Sequence, residues 1–407
     1  MNPDDQRLEF DQSLRMMRDR LVPKLPANIK RKVLPEIEKL EDLLVDTRPP
    51  KFAIVGRRGA GKSTLINAIF QDQVADVGSV TAETERASWH TYTDKTNETI
   101  MEVLDTRGFG EGASDRFQMS EERTWEEALA NKYPDAILFL IKAKEVDSRI
   151  QEDIGQLKAL QQQIKEKHDY VPPIVGIVTQ VDELDPIYDH TPPFGDSKQR
   201  AIQQATAHLE KLLAKQFNDI AGVLPVCAYL AFENGRIVYD RRWNIHRLID
   251  FLLEQLPNNT WMEWARITKA KSIQVKIAET IGKSASAISL GVGAQPIPLA
   301  DLPVITSIQL SMVASIAYIS GRKLNRKTLV EFLGAVGANV GTAFAFRQLS
   351  RSLSKLVFPV AGHAVSGTLA ATATWGLCKA AILYFIERQP AEEAKKMYEK
   401  NAEHPLD

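Results

Sequence analysis

Two helical periods open the chain. Phe10, Leu14, Met17 and Leu21 recur at steps of four, three and four, and Val33, Ile37, Leu40 and Leu44 repeat those steps. Each pattern predicts a helix with one apolar stripe that another element must cover. Pro23 and Pro26 punctuate the connection between them. From Lys51 the texture changes to short, β-rich apolar runs at Phe52–Val55, Ile100–Leu104, Ala136–Ile141, Ile174–Val178 and Val223–Val226. Polar helical stretches at Lys62–Phe70, Glu121–Asn131, Glu145–Lys167 and Ser197–Phe217 separate most of them. Arg86–Thr93 and Thr99–Leu104, joined by Asp-Lys-Thr-Asn, read instead as a hairpin. The alternation predicts a mostly parallel sheet with helices on both faces and one antiparallel edge.

A helix near Asn244–Leu256 should close this α/β domain, with Pro257-Asn258-Asn259 as its boundary. Beyond Trp261 no convincing strand occurs, and the remainder reads as all-helical. The expected organisation is therefore N-terminal helices over 1–48, an α/β domain over 49–257 and a helical domain over 258–407, the first segment packing with the last. Two charge-free stretches, Leu302–Gly321 and Leu356–Cys378, are long enough to raise the question of a membrane span. The first is amphipathic: Ser307, Ser311 and Ser315 lie opposite Ile305, Ile308, Met312, Ile316 and Ile319. The second contains Pro359, His363 and three threonines. A packed helical core is the favoured reading. Peripheral contact with an anionic membrane stays open, because Arg347, Arg351 and Lys355 line one face and Arg322, Lys323, Arg326 and Lys327 cluster after the first stretch.

Composition narrows the choice of function. Of 407 residues, 44% are hydrophobic and 25% charged, enough for packed cores and against wholesale disorder. Lys+Arg is 51 and Asp+Glu 52, and this balance gives no global electrostatic reason to expect nucleic acid as a partner. Two cysteines, Cys227 and Cys378, build no disulfide framework and lack metal-ligand spacing. The N-terminal decad has no apolar signal core, so a cytoplasmic location is expected.

The candidate chemistry sits at the ends of the predicted strands. Gly56-Arg57-Arg58-Gly59-Ala60-Gly61-Lys62-Ser63 matches G-x-x-x-x-G-K-[ST] between a strand and a helix, with Thr64 following. Glycines let successive amides turn onto a phosphate, Lys62 brings a cation to the outer phosphates, and the Ser63 hydroxyl suits Mg²⁺. The helix N-terminus adds its dipole. Asp105-Thr106-Arg107-Gly108 follows the strand Thr99–Leu104 as a D-x-x-G element: Asp105 can hold the Mg²⁺ shell and the Gly108 amide can meet a γ-phosphate. Thr179-Gln180-Val181-Asp182 stands where [NT]-K-x-D belongs, and its carboxylate can accept both guanine N1–H and the 2-amino group. Cys227-Ala228 ends the last strand in place of an S-A element whose amide meets guanine O6. Any one of the last three is weak alone. All four in order, each at a strand's C-terminal end, form a strong signal for guanine nucleotide.

With these motifs the segment Phe52–Ala228 resembles the Era-like GTPases and their dynamin-related and immunity-related relatives, above all in Gly-Ala-Gly-Lys-Ser-Thr-Leu-Ile-Asn-Ala-Ile-Phe and Asp-Thr-Arg-Gly-Phe-Gly. The order of short N-terminal helices, nucleotide domain and helical domain is similar to the immunity-related group. Gly291-x-Gly-Ala-Gln-Pro-Ile-Pro-x-Ala-Asp resembles a helical domain appended to bacterial Era-like proteins. The resemblance implies GTP and GDP as ligands, Mg²⁺ held by Ser63, Thr81 and Asp105, and a switch threonine about twenty residues beyond Lys62. Thr81 is preferred to Thr84 in that role.

Several positions depart from the family. Gln180 replaces the Lys that stacks on the base, Gly59 replaces an Asn of potassium-activated relatives, and Phe109 stands where Ras-type proteins place the water-orienting Gln. Lys62, Thr81, Gly108 and an arginine, Arg58 or Arg107, are then the expected catalytic set, with a homodimer supplying the missing order. The favoured function is a Mg²⁺-dependent GTPase whose cycle drives dimerisation or changes in the helical domain. The alternatives are a GTP-dependent binding module with negligible hydrolysis and a nucleotide domain regulating a membrane-embedded helical domain.

Overall fold

The computed structural model describes residues 15, 18–19, 22–74, 88–93, 98–105, 125–146, 150–218, 220–293, 301–322, 332, 334, 336 and 367–402. The chain divides into two compact units, Pro49–Pro257 and a helical unit that joins Met1–Arg48 to Asn258–Asp407. Helix α1 (Ala27–Leu44) belongs to the second. It buries Val33, Ile37, Leu40, Leu43 and Leu44, the stripe that its periodicity predicts.

The first unit is built on six strands: β1 (Lys51–Val55), β2 (Ser88–Thr93), β3 (Thr99–Asp105), β4 (Ala136–Lys142), β5 (Ile174–Thr179) and β6 (Ile220–Pro225). Their order in the sheet is β2-β3-β1-β4-β5-β6. All neighbours are parallel except β2, which pairs antiparallel with β3 as the edge hairpin. β6 begins at Ile220, three residues before the apolar run suggests, because Ile220 already pairs with Ile174. Helices α2 (Lys62–Phe70), α3 (Ile150–His168) and α4 (Asp196–Ala214) connect strands, and α5 (Ile245–Gln255) closes the unit. In β4 the alternate residues Ile137, Phe139 and Ile141 join a core cluster with Leu157 of α3 and Leu209 of α4. Leu138 and Leu140, which face the other way, are buried as well. Both faces of the sheet are therefore covered, and its central strands read as continuous apolar runs.

One element departs from the sequence reading. After β6 the chain forms a second, two-stranded sheet, β7 (Leu230–Glu233) antiparallel to β8 (Arg236–Asp240). Asn234 and Gly235 at its tip take φ of 50° and 72°. Consecutive positive φ values are what an Asn-Gly hairpin turn requires, and that dipeptide is the signal in the sequence.

In the helical unit, α6 (Trp261–Thr268), α7 (Lys271–Gly293), α8 (Asp301–Ile319), α9 (Gly367–Ala381) and α10 (Ala391–Ala402) accompany α1. In α8, Ile305, Ile308, Met312 and Ile316 are buried while Ser311 and Ser315 are half-buried, as the amphipathic pattern predicts. Among the described residues one helical stretch, Gly367–Ile386, is long and apolar enough to cross a membrane, and 67% of its most apolar window is buried inside the protein. It also carries a polar network: Gln309 Nε2 donates to Thr374 Oγ1 at 2.9 Å, and Thr374 Oγ1 lies 3.1 Å from Ser289 Oγ. Arg322 stacks over Tyr384, 5.1 Å from the ring centre. The other basic residues considered for membrane contact, with Pro359 and His363, lie outside the described residues, as does most of the first predicted helix.

Helix α7 contacts α9 closely at Gly282, where an added Cβ would overlap the Cys378 thiol and come within 2.9 Å of its Cβ. Burial pushes the Cys378 thiol up to about 12, so it packs there as a small neutral group. Gly282→Ala is expected to cost about 1–3 kcal/mol by overpacking, outweighing the helix propensity that Ala brings. Thermal melting followed by circular dichroism checks this; an unchanged melting temperature would show that the helices can part without cost.

Candidate functional site

The parallel register brings five strand ends to one edge of the sheet. Ile54 pairs with Asp105, Val55 with Phe139, Lys142 with Thr179 and Val178 with Pro225. β1 lies between β3 and β4, where the order of connection reverses, and crevices at such points hold ligands in open α/β sheets. The loop Gly56–Gly61 leaves β1 at this point and runs into α2.

The loop is shaped by two left-handed residues, Gly59 at φ 76° and Gly61 at φ 89°. Gly61 is the N-cap of α2 and has no side chain with which to cap it, and the N-terminus of a helix favours a phosphate. Lys62 lies over the loop and donates to the Gly56 carbonyl at 2.6 Å. Ala60 is buried, its amide donating to Arg57 O at 3.1 Å, while Ser63 and Thr64 are half-buried in the first turn of α2. Ser63 and Asp105 are hard oxygen donors of the kind Mg²⁺ takes alongside phosphate and water. Among the described residues no cluster of three His, Cys, Asp or Glu side chains is placed to hold a metal by itself. A cation held mainly through phosphates needs no such cluster. Thr81, Thr84, Arg107, Gly108 and Phe109 lie outside the described residues.

The two arginines of the loop differ. Arg57 donates to both oxygens of Asp153 on α3, at 2.9 to 3.2 Å. Burial raises the Asp153 carboxyl above its ordinary value, and the Arg57 guanidinium opposes that rise. The Arg57 side chain thus ties the loop to α3. Arg58 is exposed.

Thr179 and Gln180 tie the second motif to the first. Thr179 Oγ1 donates to Ala60 O at 2.8 Å and lies 3.2 Å from Ile141 O. Gln180 takes a left-handed conformation, φ 55°, and its Nε2 donates to Gly59 O at 2.7 Å. Val181–Glu183 forms a short 3-10 turn that carries Asp182, itself largely buried. That turn rests on Lys198 of α4, which is fully buried and donates to Asp182 O at 2.7 Å and to Leu184 O. Burial pushes the Lys198 ammonium down from its ordinary value. At the last motif, the Cys227 amide and carbonyl are both used by Trp243, at 3.2 and 2.8 Å. The Cys227 amide is therefore already engaged within the protein. Burial also raises the Cys227 thiol to about 12, so it stays protonated.

Sequence reasoning missed Asp153, Lys198 and Arg241. Asp153 and Lys198 sit in helices read as ordinary polar stretches, where no local pattern distinguishes them. Arg241, which donates to Asp182 Oδ2 at 3.2 Å, follows the unread hairpin.

Because Asp153 is 4% exposed and Arg57 23%, removing the arginine strands a nearly buried carboxylate. Arg57→Ala is expected to cost about 2–3 kcal/mol, less than the roughly 3–5 of a fully buried pair. Adding Asp153→Asn should recover more than half of the loss in denaturant unfolding. Full stability of Arg57→Ala alone would show that the pair is only a surface contact.

Residues 51–179, from β1 to β5, match the family described as 50S ribosome-binding GTPase. No curated protein matches the chain. Among solved structures, a variant of SsGBP is 20% identical over 57% of this chain, which spans 64% of that chain, at a TM-score of 0.32. A dimerization-deficient mutant of Toc33 from Arabidopsis thaliana is 18% identical over 52% of this chain and 84% of that one, at 0.35. Era in complex with MgGDPNP and a segment of 16S ribosomal RNA is 18% identical, over 62% and 70%, at 0.34. The family match, with the sheet order and the loop after β1, gives the unit Pro49–Pro257 the P-loop GTPase fold, with a helical region besides.

Proposed function

We propose that the chain binds GTP and GDP with Mg²⁺ and hydrolyses GTP to GDP and phosphate. The observation that carries this reading is the pair of bonds from Thr179 and Gln180 to the carbonyls of Ala60 and Gly59. They lock a phosphate-cradling loop beside a turn that presents a nearly buried carboxylate. Lys62 and amides of the loop and of the first turn of α2 then bind the phosphates and offset the negative charge that develops on the transferring group. Ser63, Asp105 and Thr81 would hold the Mg²⁺, which neutralises charge on the outer phosphates when bound. The Gly108 amide meets the γ-phosphate, Asp182 accepts from the base edge and the Ala228 amide donates to its carbonyl oxygen.

A homodimer supplies what this chain lacks. Phe109 cannot orient water as a Gln does, and Arg57 is held by Asp153. Arg58, exposed on the loop, or Arg107 would bring charge near the γ-phosphate, and such an arginine raises turnover by roughly 10³–10⁵ in other GTPases. The cycle would drive dimerisation and a change in the helical unit. The second reading, a GTP-dependent binding module with negligible hydrolysis, is favoured by the same Phe109. Phosphate release from the purified chain separates the two.

Asp182→Ala should lose about 2–4 kcal/mol of GDP affinity, and Asp182→Asn should move the preference toward xanthine nucleotides. Lys62→Ala should abolish phosphate release. Unchanged titrations and turnover in these variants would remove the site from consideration. For the dimer, turnover per molecule should rise with protein concentration to a plateau that Arg58→Ala or Arg107→Ala lowers without loss of nucleotide binding. A flat profile with a monomer throughout contradicts it.

A further inference from the structure

The hairpin β7–β8 returns the chain to the base turn with Arg241 in a fixed place. Arg241 N donates to Tyr229 O at 3.0 Å. Its guanidinium lies 5.3 Å from the ring centres of both Tyr229 and Tyr239, and its Nε and Nη2 donate to the Tyr239 hydroxyl at 3.3 and 3.1 Å. The remaining arm, Nη1, donates to Asp182 Oδ2. The next three residues are each pinned. Arg242 donates to Ala68 O at the end of α2 and pairs with Asp240, Trp243 exchanges both backbone bonds with Cys227, and Asn244 donates to Pro225 O at 2.7 Å. Arg241 is thus placed by its surroundings and not by the ion pair alone.

We infer that Arg241 is a specificity-determining positioning residue for the guanine base, fixing the plane of the Asp182 carboxylate so that both of its oxygens face the base edge. This rests on the reading of Asp182 as the base acceptor. A carboxylate offers about four lone-pair sites on two oxygens. Guanine takes one on each, for N1–H and for the 2-amino group, Arg241 takes one more on Oδ2, and the Cys227 thiol also donates to this carboxylate, so four donors share four sites. The terminal torsion of Asp is otherwise broad, and fixing it is then left to the ligand. Lys198 holds the backbone of the same residue through Asp182 O. Lys198 therefore sets where the turn stands, and Arg241 sets which way its carboxylate faces. A charge-assisted bond from one arm of a held guanidinium fork is directional in a way that a lysine's rotatable ammonium is not.

The test is calorimetric titration of the full chain with GDP and with IDP, whose base lacks the 2-amino group. Arg241→Ala should weaken GDP by about tenfold and IDP by less, shrinking the ratio between them. On an Asp182→Ala background the same change should add nothing. Equal or tighter GDP binding by Arg241→Ala overturns the proposal, the tighter case marking Arg241 as a competitor for the carboxylate. An undiminished loss on the Asp182→Ala background also overturns it, since Arg241 would then act through packing of the hairpin. Should Arg241→Ala not fold, Arg241→Lys keeps the charge without the fork; it should shrink the ratio, and an unchanged ratio again overturns the proposal. Failure of the underlying base reading looks different: the unmodified chain would bind ADP as well as GDP, or Asp182→Ala would keep full GDP affinity.

Discussion

One hydroxyl at the end of β5 sits where three segments meet. Thr179 Oγ1 stands between the carbonyls of Ala60, in the loop after β1, and Ile141, near the end of β4. Thr179 is almost fully buried, and a carbonyl left without a donor at such a site costs about 1–3 kcal/mol. The loop therefore cannot move away from β5 without exposing or stranding a polar group. Gln180, forced into the left-handed region, adds a second bond to Gly59. The separation between the phosphate cradle and the turn bearing Asp182 is set by these contacts before any ligand arrives.

Around that junction the scaffold places charges where water is scarce and pairs each of them. The Asp153 carboxylate beneath the loop has Arg57, and the Lys198 ammonium beneath the turn has two carbonyls. A buried charge pays for its desolvation even when paired, and removing its partner costs a great deal more. These contacts tie loop and turn to the helices beneath them although both are irregular backbone. The hairpin after β6 closes the arrangement from the other side, with Arg242 bonded to the end of α2 and Arg241 to Asp182.

The central strands were legible from sequence because they are buried on both faces, so Ala136–Ile141 and Ile174–Val178 are unbroken apolar runs. The phosphate loop was legible because its glycines are dictated by backbone geometry: Gly59 and Gly61 adopt left-handed angles that few other residues take. Asp182 could be placed because it follows a strand end directly. Lys198 and Asp153 could not, since their partners lie 16 and 96 residues away along the chain and only the fold brings them together. The hairpin was missed for a different reason. Its outer strand, Arg236–Asp240, is exposed throughout and shows no buried face to betray a strand, leaving Asn234-Gly235 as the only local sign. Of the pair Cys227-Ala228, read from its position at the end of the last strand, the Cys227 amide is used by the bridge to Trp243.

If loop and turn form one site, its selectivity lies in the base edge and its affinity in the phosphates. Calorimetric titration of the unmodified chain with GDP and with ADP, in Mg²⁺, measures both at once. One GDP per chain is expected, with an ADP affinity lower by roughly 10³-fold or more, because adenine offers the Asp182 carboxylate neither the N1–H nor the 2-amino donor of guanine. ADP binding within a few-fold of GDP, or no binding of either, would contradict it.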